Sequence, residues 1–108
     1  MNAAQSAEIF KALANQHRVH IVRQLIEKGL RCDDPERCDL SARCCNVGEL
    51  AAELAIALPT LSYHLKELRR AGLITTQRAG RHLYCSINVD LLQQLFQYVQ
   101  NPLTTLSI

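Results

Sequence analysis

Apolar residues recur at helical spacing along most of the chain, and the breaks between these runs mark its elements. In "AAQSAEIFKALA", Ala3, Ala7, Phe10 and Ala14 follow a 3.6-residue period, with Ile9 and Leu13 beside them. That spacing predicts an amphipathic helix from about Ala3 to Leu13. Asn15 is placed to cap a second helix, "QHRVHIVRQLIEK", with an apolar face of Val19, Val22, Leu25 and Ile26 and with Gly29 as its stop. Periodicity then vanishes for about 17 residues, longer than most connections in a compact domain. It returns in "VGELAAELAIALPTLSYHLKELRRAGLI", where Val47, Leu50, Ala51 and Leu54 predict a short helix. "AIAL" reads as a tight turn, and Pro59 suits the first position of the next helix, where its missing N–H is not needed. Leu61, Leu65 and Leu68 face inward on that helix, Thr60, Tyr63, Lys66 and Arg70 face away, and Gly72 stops it.

"LITTQRAGRHLYCSIN" changes period. Ile74, Thr75 and Thr76, then Leu83, Tyr84 and Ile87, favour two strands, with Ala79-Gly80 at the tip between Arg78 and Arg81. "DLLQQLFQYV" closes the chain with Leu91, Leu92, Leu95, Phe96 and Val99, a wide apolar stripe. It is either ordinary core or, with the first helix, a dimer face. Asp90 reads as the N-cap of this helix. The expected class is mainly α with a small β-hairpin (α+β), as one domain over 1–108 with a cysteine-rich loop at about 30–46.

Composition narrows the setting. A chain of 108 residues with 48% hydrophobic content can bury a core. No apolar run reaches the roughly 18 residues that span a bilayer, and the first residues lack the basic head and apolar stretch of a signal peptide. A cytoplasmic protein with reduced thiols and no membrane partner is expected. The odd cysteine count of five also argues against a pure disulfide framework.

Net charge is only +2, but its distribution is uneven. From Pro59 to His82, Lys66, Arg69, Arg70, Arg78 and Arg81 oppose Glu67 alone, so that segment is +4 and the remainder −2. A local polyanion contact is the functional reading, and a solvated face is the ordinary one.

Two short helices around a tight turn, followed by a basic hairpin, describe a winged helix-turn-helix. "IFKALANQHRVHIVRQL", "VGELAAELAIALPTLSYHLKELRRAGLI" and "RAGRHLYCSIN" together resemble the ArsR/SmtB family of bacterial metal-responsive repressors. The resemblance covers nearly all of the chain except 31–46. It implies a homodimer that binds near-palindromic double-stranded operator DNA, with the helix beginning near Pro59 in the major groove. Thr60, Ser62, Tyr63 and His64 match the positions that face base edges and phosphates. Their hydroxyls and imidazole suit base edges, Lys66 suits a phosphate, and Arg78 and Arg81 suit phosphate or minor-groove contact. Ser62 could instead satisfy a backbone carbonyl, and His64 could fill a partly buried gap.

The family places its sensor sites in several positions. One branch uses a cysteine pair in the first helix of the helix-turn-helix, where this chain has Ala51 and Ala52. Another uses Asp and His on the last helix, where this chain has Asp90 but no histidine after His82. There remains "RCDDPERCDLSARCCN", which holds Cys32, Cys38, Cys44 and Cys45. Soft thiolates select soft ions, and As(III) or Sb(III) takes three sulfurs in a pyramid. Zn(II), Cd(II) and Pb(II) are alternative guests, although five-residue gaps fit poorly to the short ligand spacings usual for zinc. A thiol redox switch and an incidental insertion are the other readings. Asp33, Asp34 and Asp39 add oxygen ligands or only solvate the loop, and Cys85 reads as a small strand or core residue.

Two other classes of function compete with regulation. An enzyme with a nucleophilic cysteine, such as an arsenate reductase, wants an anion-binding loop or a placed base, and no glycine-rich phosphate loop occurs. A zinc-stabilised interaction module would not need Tyr63, His64 and Lys66 together with a basic wing.

Overall fold

A computed structural model describes residues 1–30 and 45–100. Helices α1 (Ala3–Leu13) and α2 (Gln16–Leu30) lead to a short strand β1 (Cys45–Asn46). Helices α3 (Val47–Leu54) and α4 (Leu58–Arg70) follow, then strands β2 (Ile74–Ala79) and β3 (His82–Ile87), then α5 (Val89–Gln100). The sheet is antiparallel with order β1-β3-β2. The class is thus mainly α with a small sheet, a winged helix-turn-helix in which α3 and α4 form the helix-turn-helix and β2–β3 the wing. Among the described residues no helix is long and apolar enough to cross a membrane.

Side-chain chemistry sets several of the element ends. Asn2 caps α1, and Asn15 caps α2 by accepting from the His17 and Arg18 amides at 2.9 and 3.4 Å. The turn between α3 and α4 is closed by two backbone bonds, Ala55 N to Ala52 O and Ile56 N to Ala51 O. This is the Schellman pattern, and Ala55 takes its left-handed position at φ 54°. Helix α4 ends the same way, with Gly72 at φ +84° and Leu73 N bonded to Leu68 O. A Cβ at Gly72 would also come within 3.3 Å of Leu91. At the wing tip, Gly80 at φ +62° supplies the positive dihedral required by the two-residue turn between Ala79 and His82.

One core joins the described elements. Ile9, Ile21, Leu25, Leu50, Leu61, Leu68, Leu73, Ile74, Cys85 and Leu95 are almost fully buried in it. Each large aliphatic side chain contributes about 1.5–3 kcal/mol by leaving water. Asn88 fastens the end of the wing to the end of α4: its N–H donates to Leu73 O at 2.7 Å and its side chain donates to Gly72 O at 3.0 Å.

Some faces differ from those the sequence pattern predicts. On α1 the buried residues are Ser6, Ile9 and Ala12, while Phe10 is 51% exposed and Ala3 and Ala7 face out. On α2 Ile21 enters the core and Val19 is exposed. Gly29 does not stop α2, which runs through Leu30. Pro59 is the second residue of α4, after Leu58. Asp90 lies in the first turn of α5, and the cap is Asn88, whose Oδ1 accepts from Leu91 N at 3.2 Å. Phe96, at 55% exposure, and Val89 and Val99 leave an apolar face on α5.

Candidate nucleic-acid interface

Helix α4 divides its side chains cleanly. Leu61, Leu65 and Leu68 anchor it in the core, so Thr60, Ser62, Tyr63 and Lys66 are exposed on its outer side. The outer side itself has two edges. Ser62, Lys66 and Arg69 line a shallow cleft with Thr76 and Leu83 of the wing. Tyr63 and Arg70 lie on the other edge, beside Glu67 and the α1 residues Glu8 and Lys11. There Arg70 pairs with Glu67 at 3.6 Å, so its charge is partly neutralised. The basic edge is therefore the wing side, where Lys66 and Arg69 are exposed and unopposed by that carboxylate. Arg69 belongs with Ser62 and Lys66 on this edge. Its spacing, three after Lys66 and seven after Ser62, is the signal that could have marked it.

Arg78 and Arg81 flank Gly80 at the wing tip, both exposed. A hydroxyl bond between Thr75 and Ser86 at 2.9 Å ties the two strands at the base of the wing. The charges thus stand at the end of a stiffened hairpin, a suitable arrangement for reaching a polyanion.

His64 departs from the rest of the set: the family resemblance matches it to a base-reading position, but it is only 6% exposed. It follows Leu61 by three residues and precedes Leu68 by four, which turns it toward α2 instead of outward. Its Nδ1 accepts from Arg18 Nε at 3.2 Å. Burial, with the charges of Arg18 and His17 beside it, holds its pKa below the usual histidine value. At neutral pH the ring is therefore uncharged, with its proton on Nε2. The filling of a partly buried gap is the role its position supports.

The cysteine positions are divided. Cys32, Cys38 and Cys44 lie outside the described residues, as do Asp33, Asp34 and Asp39. Cys45 is described in its backbone, as the first residue of β1, where it stands opposite Cys85. Cys85 is buried, as its strand position suggests. Among the described residues no group of three His, Cys, Asp or Glu side chains gathers as a metal site.

A family model described as "Helix-turn-helix domain" matches residues 13–77. The chain is 37% identical over 87 residues to the uncharacterized HTH-type transcriptional regulator YceK of Bacillus subtilis (strain 168), covering 81% of this chain and 74% of that one. It is 34% identical over 79 residues to the arsenical resistance operon repressor of the same organism, covering 73% and 62%. Among solved structures, a homodimeric winged helix-turn-helix DNA-binding domain from Mycobacterium bovis superposes with a TM-score of 0.66 at 27% identity, covering 94% and 80%. With the arrangement of α3, α4 and the wing, these likenesses place the chain in the ArsR/SmtB family of winged helix-turn-helix transcriptional regulators.

Proposed function

We propose that the protein is a homodimeric repressor of double-stranded operator DNA. Thiol binding of As(III) or Sb(III) by the loop of Cys32, Cys38, Cys44 and Cys45 is its release signal. In this reading Thr60, Ser62, Tyr63, Lys66 and Arg69 of α4 meet the major groove, and Arg78 and Arg81 meet the backbone or minor groove beside it. The exposed Phe10, Phe96 and Val99 of α1 and α5 support a second copy as the occupant of that apolar side. The M. bovis neighbour, described as homodimeric, supports it too.

The observation that carries the regulatory half is the exit of the cysteine loop. Cys45 and Asn46 pair with Cys85 and Tyr84 of β3, and the Asn46 side chain caps α3. The loop therefore ends on both reading elements at once. The donor set fits a thiophilic guest, since four thiols fall within residues 32–45. Bound there, a trivalent metalloid would cross-link three thiolates and hold the loop in one arrangement. Any shift of β1 reaches α3 through the Asn46 cap and the wing through the ladder. Paired half-sites lie about one DNA turn apart, so a small change in the spacing of the two α4 helices weakens binding. A coupling of about 1–3 kcal/mol would lower affinity roughly 5–150-fold.

Selection of duplexes from a random-sequence pool by the reduced protein tests the DNA-binding half. Two inverted half-sites about one turn apart are the expected product. Enrichment of no sequence, or of a single unrepeated half-site, would contradict the dimeric repressor.

A further inference from the structure

Arg18 stands on α2, outside the helix-turn-helix and the wing, yet it reaches both α1 and α4. Its Nη1 donates to Ala12 O at 3.2 Å, a carbonyl in the last turn of α1 that the helix itself leaves unpaired. Its Nε donates to His64 Nδ1 at 3.2 Å. Its guanidinium carbon lies 5.6 Å from the centre of the Tyr63 ring, within cation–π range. The rings of His17 and Tyr63 stand 5.6 and 5.5 Å from that of His64.

Within this cluster His64 is buried and Tyr63 is 55% exposed. The two are consecutive on α4, so what holds one restrains the other. A guanidinium offers several donors at fixed angles, so it can hold the Ala12 carbonyl and the His64 ring at once. A lysine ammonium supplies charge without that fork. The arrangement suits the fixing of a direction more than the supply of charge, because Arg18 is half-buried and lies with Tyr63 and Glu67 on the α1 edge, away from the basic wing side.

We propose that Arg18 is a positioning residue for sequence readout: through His64 and Tyr63 it fixes how α4 presents its outer side to base edges, without itself touching DNA. This rests on the DNA-binding reading above. It predicts a separation between specific and non-specific binding that neither a phosphate contact nor a purely structural residue would produce. Phosphate contacts set the salt slope and bind any sequence, whereas base-edge contacts carry the discrimination.

The test compares wild type, Arg18→Lys, His64→Leu and His64→Asn on the selected duplex and on a scrambled duplex of equal length, across a salt series. In Arg18→Lys and His64→Leu, affinity for the selected duplex should fall about tenfold, with scrambled-duplex affinity within twofold and an unchanged salt slope. His64→Asn, whose side-chain oxygen can stand where Nδ1 accepts, should recover most of the discrimination. Imidazole 15N spectra of the wild type, which need no DNA, should show His64 with its proton on Nε2, and Arg18→Lys should mix the tautomers. An unchanged ratio of selected to scrambled affinity in Arg18→Lys overturns the proposal. So does a salt slope reduced by about one, which would make Arg18 a phosphate contact. A wild-type His64 protonated on Nδ1 overturns it even where a variant fails to fold. Failure of the wild type to bind either duplex is a separate result, which overturns the DNA-binding reading and this one together.

Discussion

Asn46 stands opposite Tyr84 across the β1–β3 ladder, and its side-chain oxygen accepts from the Gly48 and Glu49 amides at 2.8 and 3.2 Å. One residue thus couples the end of the cysteine loop to the wing and to the start of α3. Asn46→Ala should lose about 1 kcal/mol from the missing cap. For a domain of this size that lowers Tm by roughly 4–8 °C, while Asn46→Asp should retain most of it. Circular-dichroism melts check this, and equal Tm values for wild type and Asn46→Ala would remove the cap from the account.

Ala55 occupies a left-handed position in the turn between α3 and α4, where glycine is the usual residue. The Cβ strain there is about 1–2 kcal/mol, against about 0.4–1 kcal/mol of added unfolded-state entropy for glycine. Ala55→Gly should therefore stabilise the protein, by up to about 1.5 kcal/mol. A lower denaturation midpoint in urea would show that the turn is not held in this conformation.

Protonation of His64 should destabilise the fold. Its folded pKa lies below the ordinary 6.5 because of burial, Arg18 and His17. Below that ordinary value the unfolded chain binds the proton first, so stability is lost as pH falls from 6.5 toward the folded pKa. Well above 6.5, where neither state binds the proton, the group contributes no pH dependence. Melts at about pH 7.5 and 5.5 should show a larger acid loss for wild type than for His64→Asn. Equal losses would mean that the imidazole is not held neutral by its surroundings.

The two wing-tip arginines are exposed and stand clear of the core. If each meets a phosphate, Arg78→Ala and Arg81→Ala should each reduce the slope of log affinity against log salt by about 0.9. Thermal stability should be unaffected. Unchanged slopes would take the wing tip out of the interface and leave α4 to carry it alone.

Element positions were legible where one residue type settles them. Asn15, Gly72, Gly80 and the Leu61, Leu65, Leu68 row each behave as their local chemistry dictates. Faces were less legible where a helix is apolar on two sides. Helix α1 buries Ile9 and Ala12 and exposes Phe10, and periodicity alone does not say which side meets the core. The same ambiguity separates Ile21 from Val19 on α2. Gly29 reads as a stop but stays helical, since a single glycine costs only about 1 kcal/mol inside a helix. A two-residue strand such as β1 has too few positions for an alternating pattern to register.

The interface was legible as a set and not in every member. Exposure of Thr60, Ser62, Tyr63 and Lys66 follows from the leucine row on the same helix. His64 falls on the leucine side by the same spacing, three after Leu61 and four before Leu68, but its partner, Arg18, is 46 residues away in sequence, so local spacing shows the burial and not the pair. Imidazole chemistry suits a base edge, whereas the burial of His64 supports the gap-filling role. Arg69 shares the edge of Ser62 and Lys66 by its spacing, and the wing residues Thr76 and Leu83 that complete the cleft come from a separate element.

The most direct test of the regulatory claim is fluorescence anisotropy of the reduced protein on its selected duplex, with arsenite, antimonite, zinc, cadmium, lead and peroxide titrated in parallel. The wild type should leave the DNA at about one equivalent of arsenite or antimonite per chain, with affinity reduced roughly 5–150-fold. A protein carrying Cys44→Ser and Cys45→Ser should stay bound. Release of that variant by arsenite, or release of the wild type only by zinc, cadmium, lead or peroxide, would contradict a metalloid trigger built from these cysteines.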